Sequence, residues 1–350
     1  MYGKVISAAL ASYGMSGFVF HAPFLHLHKG YQLKKVLERT QMRSAEKYPY
    51  VEIARTYDEI ISDPEIDLVI VNTPDHLHFS MAEAALHAGK HVVVEKPFTQ
   101  TVNEGKRLIE LAKRKRLILS VYHNRRFDGD SLTVQQILRE GRLGRLIEYE
   151  AHYDRYRNYI SKSWKENPAT GASIVYNLGS HLIDYALFLF GDPHSVWADI
   201  RKQRDGALTD DFFEIKLFYD PLTVTLKASY LVKEPGPRYL LHGTLGSFVK
   251  SGSDPQEEAL IAGAVPGGEG WGIEITDNWG ILHTDHNGVS SRTRFKTLPG
   301  NYMKFYDYLY ESIISGQKPP VTAEDGLNVI RVIETAYRSH YEKRVVKFPL

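Results

Sequence analysis

The chain has 350 residues, more than one domain usually holds, so its length predicts two domains with separate hydrophobic cores. Hydrophobic residues make up 43% and charged residues 24%, and the formal net charge of +1 favours neither nucleic acid nor an anionic membrane as a partner. The absence of cysteine excludes disulfides, thiolate zinc sites and cysteine nucleophiles.

Short apolar runs alternate with helical patterns through the first third of the chain. This alternation is typical of parallel strands joined by crossover helices. The predicted strands are 4–11, 32–37, 66–74, 91–97 and 117–123. The predicted helices begin at Gly17 and cover 79–89, with Gly89 as its C-cap, and 102–116. We therefore expect a doubly wound parallel sheet over residues 1–124.

The pattern changes after residue 124. A predicted helix at 132–144 is followed by alternating strands at 147–157, 211–219 and 223–232, which favour an antiparallel sheet with one face packed on helices. Residues 234–300 hold many Gly and Pro residues and predict loops and short strands, and 323–343 predict an amphipathic helix. The expected fold class is α/β, with a Rossmann domain at 1–124 and a substrate-binding and oligomerisation domain at 125–350.

The apolar runs are short. Runs such as 68–71 and 186–190 fall far below the roughly 20 residues that span a bilayer. Residues 5–20 carry Gly14, Ser16 and Gly17 where the apolar core of a signal peptide would continue, so we interpret them as a strand and a turn. We expect a cytoplasmic protein with no membrane partner.

A glycine turn, "SYGMSG" at residues 12–17, separates the first predicted strand from the first helix. Backbone N–H groups at such a helix start bind pyrophosphate. Gly14 and Gly17 take the second and third positions of a G-x-G-x-x-G turn, and Ser12 stands at the first, where it fits if its φ is negative. Glycine turns are also common in α/β proteins without a cofactor. The residues expected to contact a dinucleotide are Ser12, Tyr13, Gly14, Met15, Ser16 and Gly17.

Two charged residues at the end of the second strand bear on the choice of cofactor. Glu38 lies 21 residues after Gly17, close to the spacing of a carboxylate that binds the ribose 2′-hydroxyl. Its neighbour Arg39 has the charge to pair with a 2′-phosphate or to stack on adenine. An exposed charged pair at a strand end explains either residue equally well. Glu38 favours NAD over NADP, and the choice between the two stays open.

A lysine follows the strand at 91–97. Ligands of an open parallel sheet lie at the carboxyl ends of its strands, so "VVVEKP" directs Lys96 to the cofactor side. An ammonium group there stabilises a developing alkoxide before hydride transfer. As an isolated tripeptide, E-K-P would more often be a surface turn.

The motifs together resemble the Gfo/Idh/MocA family, the glucose-fructose oxidoreductase and inositol dehydrogenase group. The resemblance rests on the glycine turn, "NTPDHLH" (72–78), "GKHVVVEKP" (89–97), "YHNRRFD" (122–128) and "NLGSHLID" (177–184), in the family's order over essentially the whole chain. Within the family, "GPRYLLHG" and "GSFVKSGSDPQEEAL" look most like the NADP-dependent scyllo-inositol dehydrogenase branch. The resemblance implies a Rossmann domain followed by an α/β domain with a large open, mainly antiparallel sheet. It also implies reversible oxidation of a sugar or cyclitol hydroxyl.

The resemblance assigns roles to individual residues. Lys96 matches the catalytic lysine of the E-K-P motif, and Glu95 before it lies at the cofactor. His181 matches a histidine that exchanges the hydroxyl proton. Asn177 stands where many members have Asp, and an amide orients a hydroxyl but takes no proton. The T-P-x-x-x-H loop expected at the cofactor comprises Thr73, Pro74 and His78, although a strand-ending turn with a partly buried histidine also explains it.

Further candidates line the expected substrate site. His123 and Asn124 follow the last strand of the first domain, and we expect Asn124 near the nicotinamide and His123 near the substrate. "HYDRYRNYISKSW" is rich in Tyr and Arg, which suit a polyhydroxylated ring or, equally, an oligomer interface. Its candidates are Tyr153, Arg157 and Trp164. The H-x-H pairs at 26–28 and 76–78 have no carboxylate cluster beside them, so we expect no metal site.

The resulting hypothesis is an NAD(P)-dependent dehydrogenase acting on a sugar or inositol-like polyol, and a homodimer or homotetramer through its C-terminal sheet. Two alternatives share the scaffold. One is a glycoside hydrolase that uses NAD transiently, without net reduced cofactor. The other is a non-catalytic nucleotide-binding regulator, which Ser12 and Asn177 favour and which the retained Lys96 and His181 disfavour.

Overall fold

The computed structural model describes residues 3–348, and its internal contacts divide the chain into two compact units. The first unit contains the described residues up to Asn124 together with Gln256–Trp271 and Asn301–Leu327. The second contains Arg125–Pro255, Gly272–Gly300 and the described residues from Asn328 onward. The predicted division into domains 1–124 and 125–350 stays a prediction, and the compact units differ from it because two later segments join the first.

The first unit is built on a six-stranded parallel sheet. Its strands are β1 (Ile6–Leu10), β2 (Tyr31–Leu37), β3 (Glu52–Ala54), β4 (Leu68–Val71), β5 (His91–Glu95) and β6 (Leu119–Tyr122). They lie in the order β3, β2, β1, β4, β5, β6, which is the Rossmann order and confirms the expected fold. Strand β4 is wholly buried, as expected for a central strand covered on both faces.

Helices connect these strands and cover the sheet. They are α1 (Ala22–Leu27), α2 (Arg43–Lys47), α3 (Asp58–Ile61), α4 (His78–His87) and α5 (Val102–Lys115). A π-helical turn, Gly17–His21, precedes α1. Gly89 has a φ of +80° just past α4, as predicted for its C-cap position. Thr101 and Glu104 form a reciprocal capping box at the start of α5.

The second unit contains a nine-stranded sheet that is mainly antiparallel, as expected. The order is β14, β13, β12, β11, β7, β10, β9, β8, β15, and the pairing of β7 with β10 is parallel. The strands are β7 (Leu146–His152), β8 (Ser195–Arg201), β9 (Phe212–Phe218), β10 (Thr223–Ser229), β11 (Tyr239–Gly243), β12 (Gly246–Lys250), β13 (Gly280–His286), β14 (Val289–Phe295) and β15 (Val346–Lys347).

The remaining helices follow the chain. They are α6 (Gly129–Arg139), α7 (Ser180–Phe190), α8 (Gln256–Ile261), α9 (Met303–Ser315) and α10 (Ala323–Glu342). Helices α8 and α9 belong to the first unit, and α6 and α7 to the second. A second π-helical turn, Val175–Gly179, leads into α7.

The expectation of only loops and short strands at 234–300 is partly wrong. Strands β13 and β14 have seven residues each and pair along their whole length. Their connection, Asn287 and Gly288, has φ values of 52° and 78°, the positive values of a tight hairpin turn. The dipeptide Asn-Gly was the available signal, but the exposed residues of β14 hide the alternation that marks a half-buried strand.

Within residues 3–348, no helix combines the length and the apolar character needed to cross a membrane. The cytoplasmic location stays a prediction.

Candidate functional site

The glycine turn is tied to the end of the neighbouring strand β4 by Ser12. Its backbone N–H donates to Asn72 Oδ1 at 3.0 Å, and its hydroxyl donates to the Asn72 carbonyl oxygen at 2.8 Å. Asn72 Nδ2 donates back to the Ser12 carbonyl oxygen at 2.9 Å. Ser12 also keeps a negative φ, because the non-glycine residues with positive φ in the described chain are Arg116, Asn287 and Lys343. The serine therefore fits the first position and adds hydrogen bonds that glycine lacks.

The two glycines of the turn have different surroundings. A Cβ atom on Gly17 would lie 2.5 Å from the Ser12 carbonyl oxygen and 2.9 Å from Asn72 Nδ2, so this position needs glycine for helix–strand packing. A Cβ atom on Gly14 would meet no protein atom within 4 Å. Gly14 and Met15 are exposed. The space over Gly14 is therefore open to a ligand.

Unpaired polar atoms near the turn fit a dinucleotide. The Thr73 hydroxyl, one residue after Asn72, is buried and has no hydrogen-bond partner in the described chain. The Tyr13 hydroxyl is likewise buried without a partner there. Burial raises the pKa of Tyr13 to about 12, with Glu38 adding to the effect, so the group is a neutral donor. Buried donors are nearly always satisfied in native structures, so these two favour a polar ligand.

His78 holds two loops together. Its Nδ1 lies 2.8 Å from the Pro97 carbonyl oxygen and its Nε2 lies 2.9 Å from the Thr73 carbonyl oxygen. The ring is completely buried, and Pro74 begins the short turn that leads to it. His78 therefore connects the loop after β4 to the loop after β5. A direct cofactor contact by His78 or Pro74 stays a prediction.

Glu38 is engaged by the start of α2. Its Oε1 accepts hydrogen bonds from the Ser44 hydroxyl at 2.6 Å and the Ser44 N–H at 2.8 Å, and its Oε2 accepts one from the Arg43 N–H at 3.2 Å. The residue is only 6% exposed, whereas Arg39 is exposed. Three protein donors therefore hold the Glu38 carboxylate, and its expected contact with the ribose stays a prediction.

Glu95 forms a buried anionic centre beside Lys96. Its Oε1 accepts hydrogen bonds from Ser16 Oγ at 2.6 Å and lies 3.0 Å from His21 Nε2, and its Oε2 accepts the Lys96 N–H at 3.1 Å. Burial raises the pKa of Glu95, but the hydrogen bonds from His21 and Ser16 and the charge of Lys96 outweigh it and lower the pKa to about 2. The carboxylate is therefore ionised at any working pH. Sequence reasoning missed His21 because its partner lies 74 residues away.

Lys96 and the residues after β6 are at strand ends, as expected. Lys96 directly follows β5 and is half-buried. His123 directly follows β6 and is completely buried, and Asn124 is 4% exposed. Their proposed contacts with nicotinamide and substrate stay predictions.

In the second unit, Asn177 lies in the π-helical turn before α7, and His181 lies four residues later, at the start of α7. Residues at i and i+4 face the same side of a helix, and π turns often occur at functional sites. Lys165 Nζ donates to Asn177 Oδ1 at 3.4 Å. His181 is 9% exposed. An ammonium group that lies beside the amide was not expected from the sequence.

Tyr153 packs between His181 and Arg238. The Tyr153 and His181 ring centroids lie 6.1 Å apart with an interplanar angle of 61°, and the Arg238 guanidinium carbon lies 3.3 Å above the Tyr153 ring. Arg238 is 6% exposed, donates to the His152 carbonyl oxygen, and lies with Nε 3.6 Å from Asp130 Oδ2. Sequence reasoning selected Tyr153 and His181 but missed Arg238 and Asp130, which are distant in sequence.

The other two candidates in this segment have separate surroundings. The Arg157 guanidinium lies 5.7 Å from the centroid of the Tyr230 ring, and Trp164 begins the short turn Trp164–Glu166. Arg204 fastens this segment by pairing with Glu166 at 2.7 Å and by donating to the Tyr159 carbonyl oxygen at 2.6 Å. Substrate contacts by Arg157 and Trp164 stay predictions.

No group of three or more His, Asp or Glu side chains is arranged to hold a metal ion in the part of the chain that the structure describes.

Comparisons with known proteins cover nearly the whole chain. A model described as "Oxidoreductase family, NAD-binding Rossmann fold" matches residues 6–123, and one described as "Oxidoreductase family, C-terminal alpha/beta domain" matches residues 135–348. The scyllo-inositol 2-dehydrogenase (NADP(+)) IolW of Bacillus subtilis is 41% identical over 97% of this chain and 95% of its own. A levoglucosan dehydrogenase of Pseudarthrobacter phenanthrenivorans is 29% identical over 55% of this chain and 50% of its own.

A solved structure supports the same assignment. A crystal structure of a Bacteroides fragilis protein is 49% identical, with a TM-score of 0.91 over 98% of this chain and 100% of that one. The matched family models indicate the same fold as the strand order and the glycine turn do. The chain is a nicotinamide-binding oxidoreductase that belongs to the Gfo/Idh/MocA family.

Proposed function

We propose that this protein is a dehydrogenase that transfers hydride between a nicotinamide cofactor and a hydroxyl group of a sugar or inositol-like polyol. The observation that carries the proposal is the similarity to a scyllo-inositol 2-dehydrogenase over 97% of the chain. The partial similarity to a levoglucosan dehydrogenase supports the same substrate class. Lys96 at the end of β5 and His181 at the start of α7 supply the required acid–base groups.

We propose separate roles for these two residues. A bound nicotinamide cofactor would supply the hydride acceptor. The Lys96 ammonium donates a hydrogen bond to the substrate hydroxyl and stabilises the alkoxide as the proton leaves. His181 takes that proton as a general base. Asn177 orients a neighbouring hydroxyl through its amide, with Lys165 holding the amide oxygen.

A substrate screen tests the proposal. Inositols, aldoses and their keto forms are incubated with NAD and with NADP, and the reduced nicotinamide is measured by absorbance. We expect turnover of at least one polyol or sugar. Release of sugar from an aryl glycoside without net reduced cofactor would instead identify a glycoside hydrolase, and cofactor binding without turnover would identify a regulator.

The variant Lys96→Met should lower kcat roughly 100- to 1000-fold, because removing one donor to a developing oxyanion has effects of that size. Its cofactor affinity should change little. Lys113→Met is the matched control, because Lys113 of α5 forms an exposed ion pair with Glu324 of α10. Wild-type kcat in Lys96→Met would contradict the role of the lysine.

We further propose NADP as the preferred cofactor. Glu38 favoured NAD, but its carboxylate is held by Ser44 and Arg43, which leaves less of it for a ribose hydroxyl. Arg39 and Arg43 are exposed beside it and present two cations to a 2′-phosphate. The name of the Bacillus subtilis relative includes NADP(+).

Kinetics with both cofactors test this preference. Arg39→Ala should lower the ratio of kcat/KM for NADP to kcat/KM for NAD roughly 10- to 100-fold, the size expected for a charged hydrogen bond. Arg114→Ala, at an exposed position of α5, is the control and should not change the ratio. A higher kcat/KM with NAD in the wild type would contradict the proposal.

We also infer that the protein is a homo-oligomer assembled through the nine-stranded sheet. Phe213, Ile215 and Leu217 of β9 are 0% exposed on one face, whereas Phe212 and Phe218 on the other face are only partly buried. Partly exposed aromatic residues on a sheet face are typical of an interface. Light scattering after size-exclusion chromatography measures the mass, and a value for one chain would contradict this inference.

A further inference from the structure

A buried chain of hydrogen bonds leads from helix α9 to Lys96 within the first unit. Tyr306 of α9 lies with its hydroxyl 2.9 Å from His21 Nδ1, and His21 Nε2 lies 3.0 Å from Glu95 Oε1. Glu95 Oε2 accepts the Lys96 N–H at 3.1 Å. Three side chains thus connect helix α9 to the backbone of the residue that carries the proposed catalytic ammonium.

The local backbone directs His21 toward these hydrogen-bonded side chains. His21 is the last residue of the π-helical turn Gly17–His21, and the Ala22 N–H donates to the Gly17 carbonyl oxygen at its end. The wider π turn adds one residue to the helical turn and so changes the direction of the side chains it carries. The His21 ring is completely buried, although histidine is usually part-exposed. Since π turns are frequent at functional sites, a buried histidine that such a turn places on a carboxylate points to a functional role.

The charge of Glu95 depends on these partners. Burial alone would raise its pKa, and the hydrogen bonds from His21 and Ser16 together with the Lys96 charge lower the pKa to about 2. The titratable groups around it include His21 from the π turn, Lys96 from the loop after β5 and Tyr306 from α9, and Tyr122 of β6 packs on the His21 ring. Burial raises the pKa of Tyr306 well above its usual value, so its hydroxyl remains neutral.

We propose that His21 is a positioning residue for Lys96: it fixes the carboxylate of Glu95, and that carboxylate in turn sets the position of Lys96. The proposal rests on the proposed dehydrogenase function and deepens it. His21 and Ser16 both hold Oε1, which leaves Oε2 to anchor the backbone of Lys96 at the end of β5.

The first test is the pH profile of kcat in His21→Phe. Phenylalanine fills a similar volume but donates no hydrogen bond, so the pKa of Glu95 should rise. We expect kcat near pH 7 to fall up to roughly 100-fold, since small displacements of a catalytic group have effects of that size. We also expect kcat to begin its decline on the acidic side of the pH profile at a higher pH than in the wild type, because a protonated Glu95 no longer holds Lys96. The affinity for the cofactor should not change.

Two further variants separate positioning from folding. His21→Gln keeps an N–H donor and should restore most of the lost kcat. His26→Phe makes the same substitution at an exposed residue of α1, stacked on Tyr50, and should have wild-type kcat. Tyr306→Phe keeps the Glu95 contact of His21 and removes the Tyr306 hydroxyl, which contacts His21 Nδ1 and donates to the Phe20 carbonyl oxygen at 2.6 Å, so it should have a smaller effect than His21→Phe.

A second measurement does not depend on turnover. Glutamate labelled with ¹³C at the carboxyl carbon reports the titration of Glu95 by NMR, with the signal assigned through Glu95→Gln. The wild-type signal should not titrate above about pH 4, and the His21→Phe signal should titrate at higher pH. A wild type without activity toward any polyol or sugar would contradict the proposed function while this titration still tests the control of Glu95.

Two results would overturn the inference. One is an unchanged Glu95 titration in folded His21→Phe. The other is a kcat in His21→Phe that equals that of the wild type, or that falls no further than in His26→Phe.

Discussion

The two units of the molecule differ in how their candidate residues are distributed along the sequence. In the first unit these residues lie in short stretches after strands β1, β2, β4, β5 and β6. In the second unit, His181 is near Tyr153, Tyr153 is near Arg238, and Arg238 is near Asp130, which are far apart in the sequence. A parallel sheet collects its strand ends at one edge, so local motifs identify its site, whereas a mainly antiparallel sheet distributes its contacts over the whole chain.

The units also differ in how they hold charge. Glu95 in the first unit is surrounded mainly by a histidine, a serine hydroxyl and a backbone N–H. The second unit contains buried pairs of arginine and aspartate, including Arg126 with Asp184 and Arg204 with Asp211. Removal of one partner from such a pair leaves an unpaired buried charge, so the second unit should be the more sensitive to single charge deletions.

The largest effect is expected for Arg126→Met. Arg126 donates to both Asp184 oxygens at 2.9 and 2.6 Å, and both side chains are at most 7% exposed. The loss should lower the free energy of unfolding by about 3–5 kcal/mol. Urea denaturation measures it.

Arg338→Met provides the matched control. Arg338 pairs with Glu342 at 2.8 Å, but their side chains are 60% and 36% exposed, so the change should be about 0.5 kcal/mol or less. Equal losses in the two variants would remove the distinction between buried and exposed pairs.

The next effect separates the two glycines of the turn in the first unit. Gly17→Ala places a Cβ atom 2.5 Å from the Ser12 carbonyl oxygen and should lower the free energy of unfolding by about 1–3 kcal/mol. Gly14→Ala meets no protein atom and should leave stability unchanged while weakening cofactor binding. Urea denaturation and a cofactor fluorescence titration give the two values. Unchanged cofactor affinity in Gly14→Ala would argue against close approach of a ligand there.

A smaller loss is expected for Ser12→Ala. The hydroxyl hydrogen bond to the Asn72 carbonyl oxygen disappears, and the two backbone and amide hydrogen bonds between these residues remain. The free energy of unfolding should fall by about 0.5–1.5 kcal/mol. An increase in the free energy of unfolding would show that the Ser12 hydroxyl does not stabilise the turn.

The smallest effect is a pH dependence in the second unit. Burial lowers the pKa of His152, but the hydrogen bonds and negative charges of Asp154 and Glu150 outweigh it and raise the pKa above its usual value. A raised pKa contributes stability that is complete below the unfolded-state pKa of about 6.5 and is lost as the pH rises through the folded-state pKa. His152→Gln should therefore lower the free energy of unfolding more at about pH 5 than at about pH 9. Urea denaturation at both values checks the sign, and a larger loss at high pH would contradict the assignment.

The sequence by itself determined the fold class and the residues near the strand ends of the first unit. The strands there are short apolar runs, and the turn residues Ser12, Asn72 and Pro97 follow them. Local composition was therefore enough to locate Lys96, and the comparisons confirmed the family.

Only the tertiary structure decided how those residues are held. It placed His21 on Glu95 across 74 positions and Arg238 on Tyr153. It also engaged Glu38 with Ser44 and Arg43, contacts that the sequence alone did not reveal. Such hydrogen bonds and ring contacts depend on the positions of side-chain atoms to within about 1 Å. When the partners belong to different elements, residue spacing along the chain carries no information at that scale.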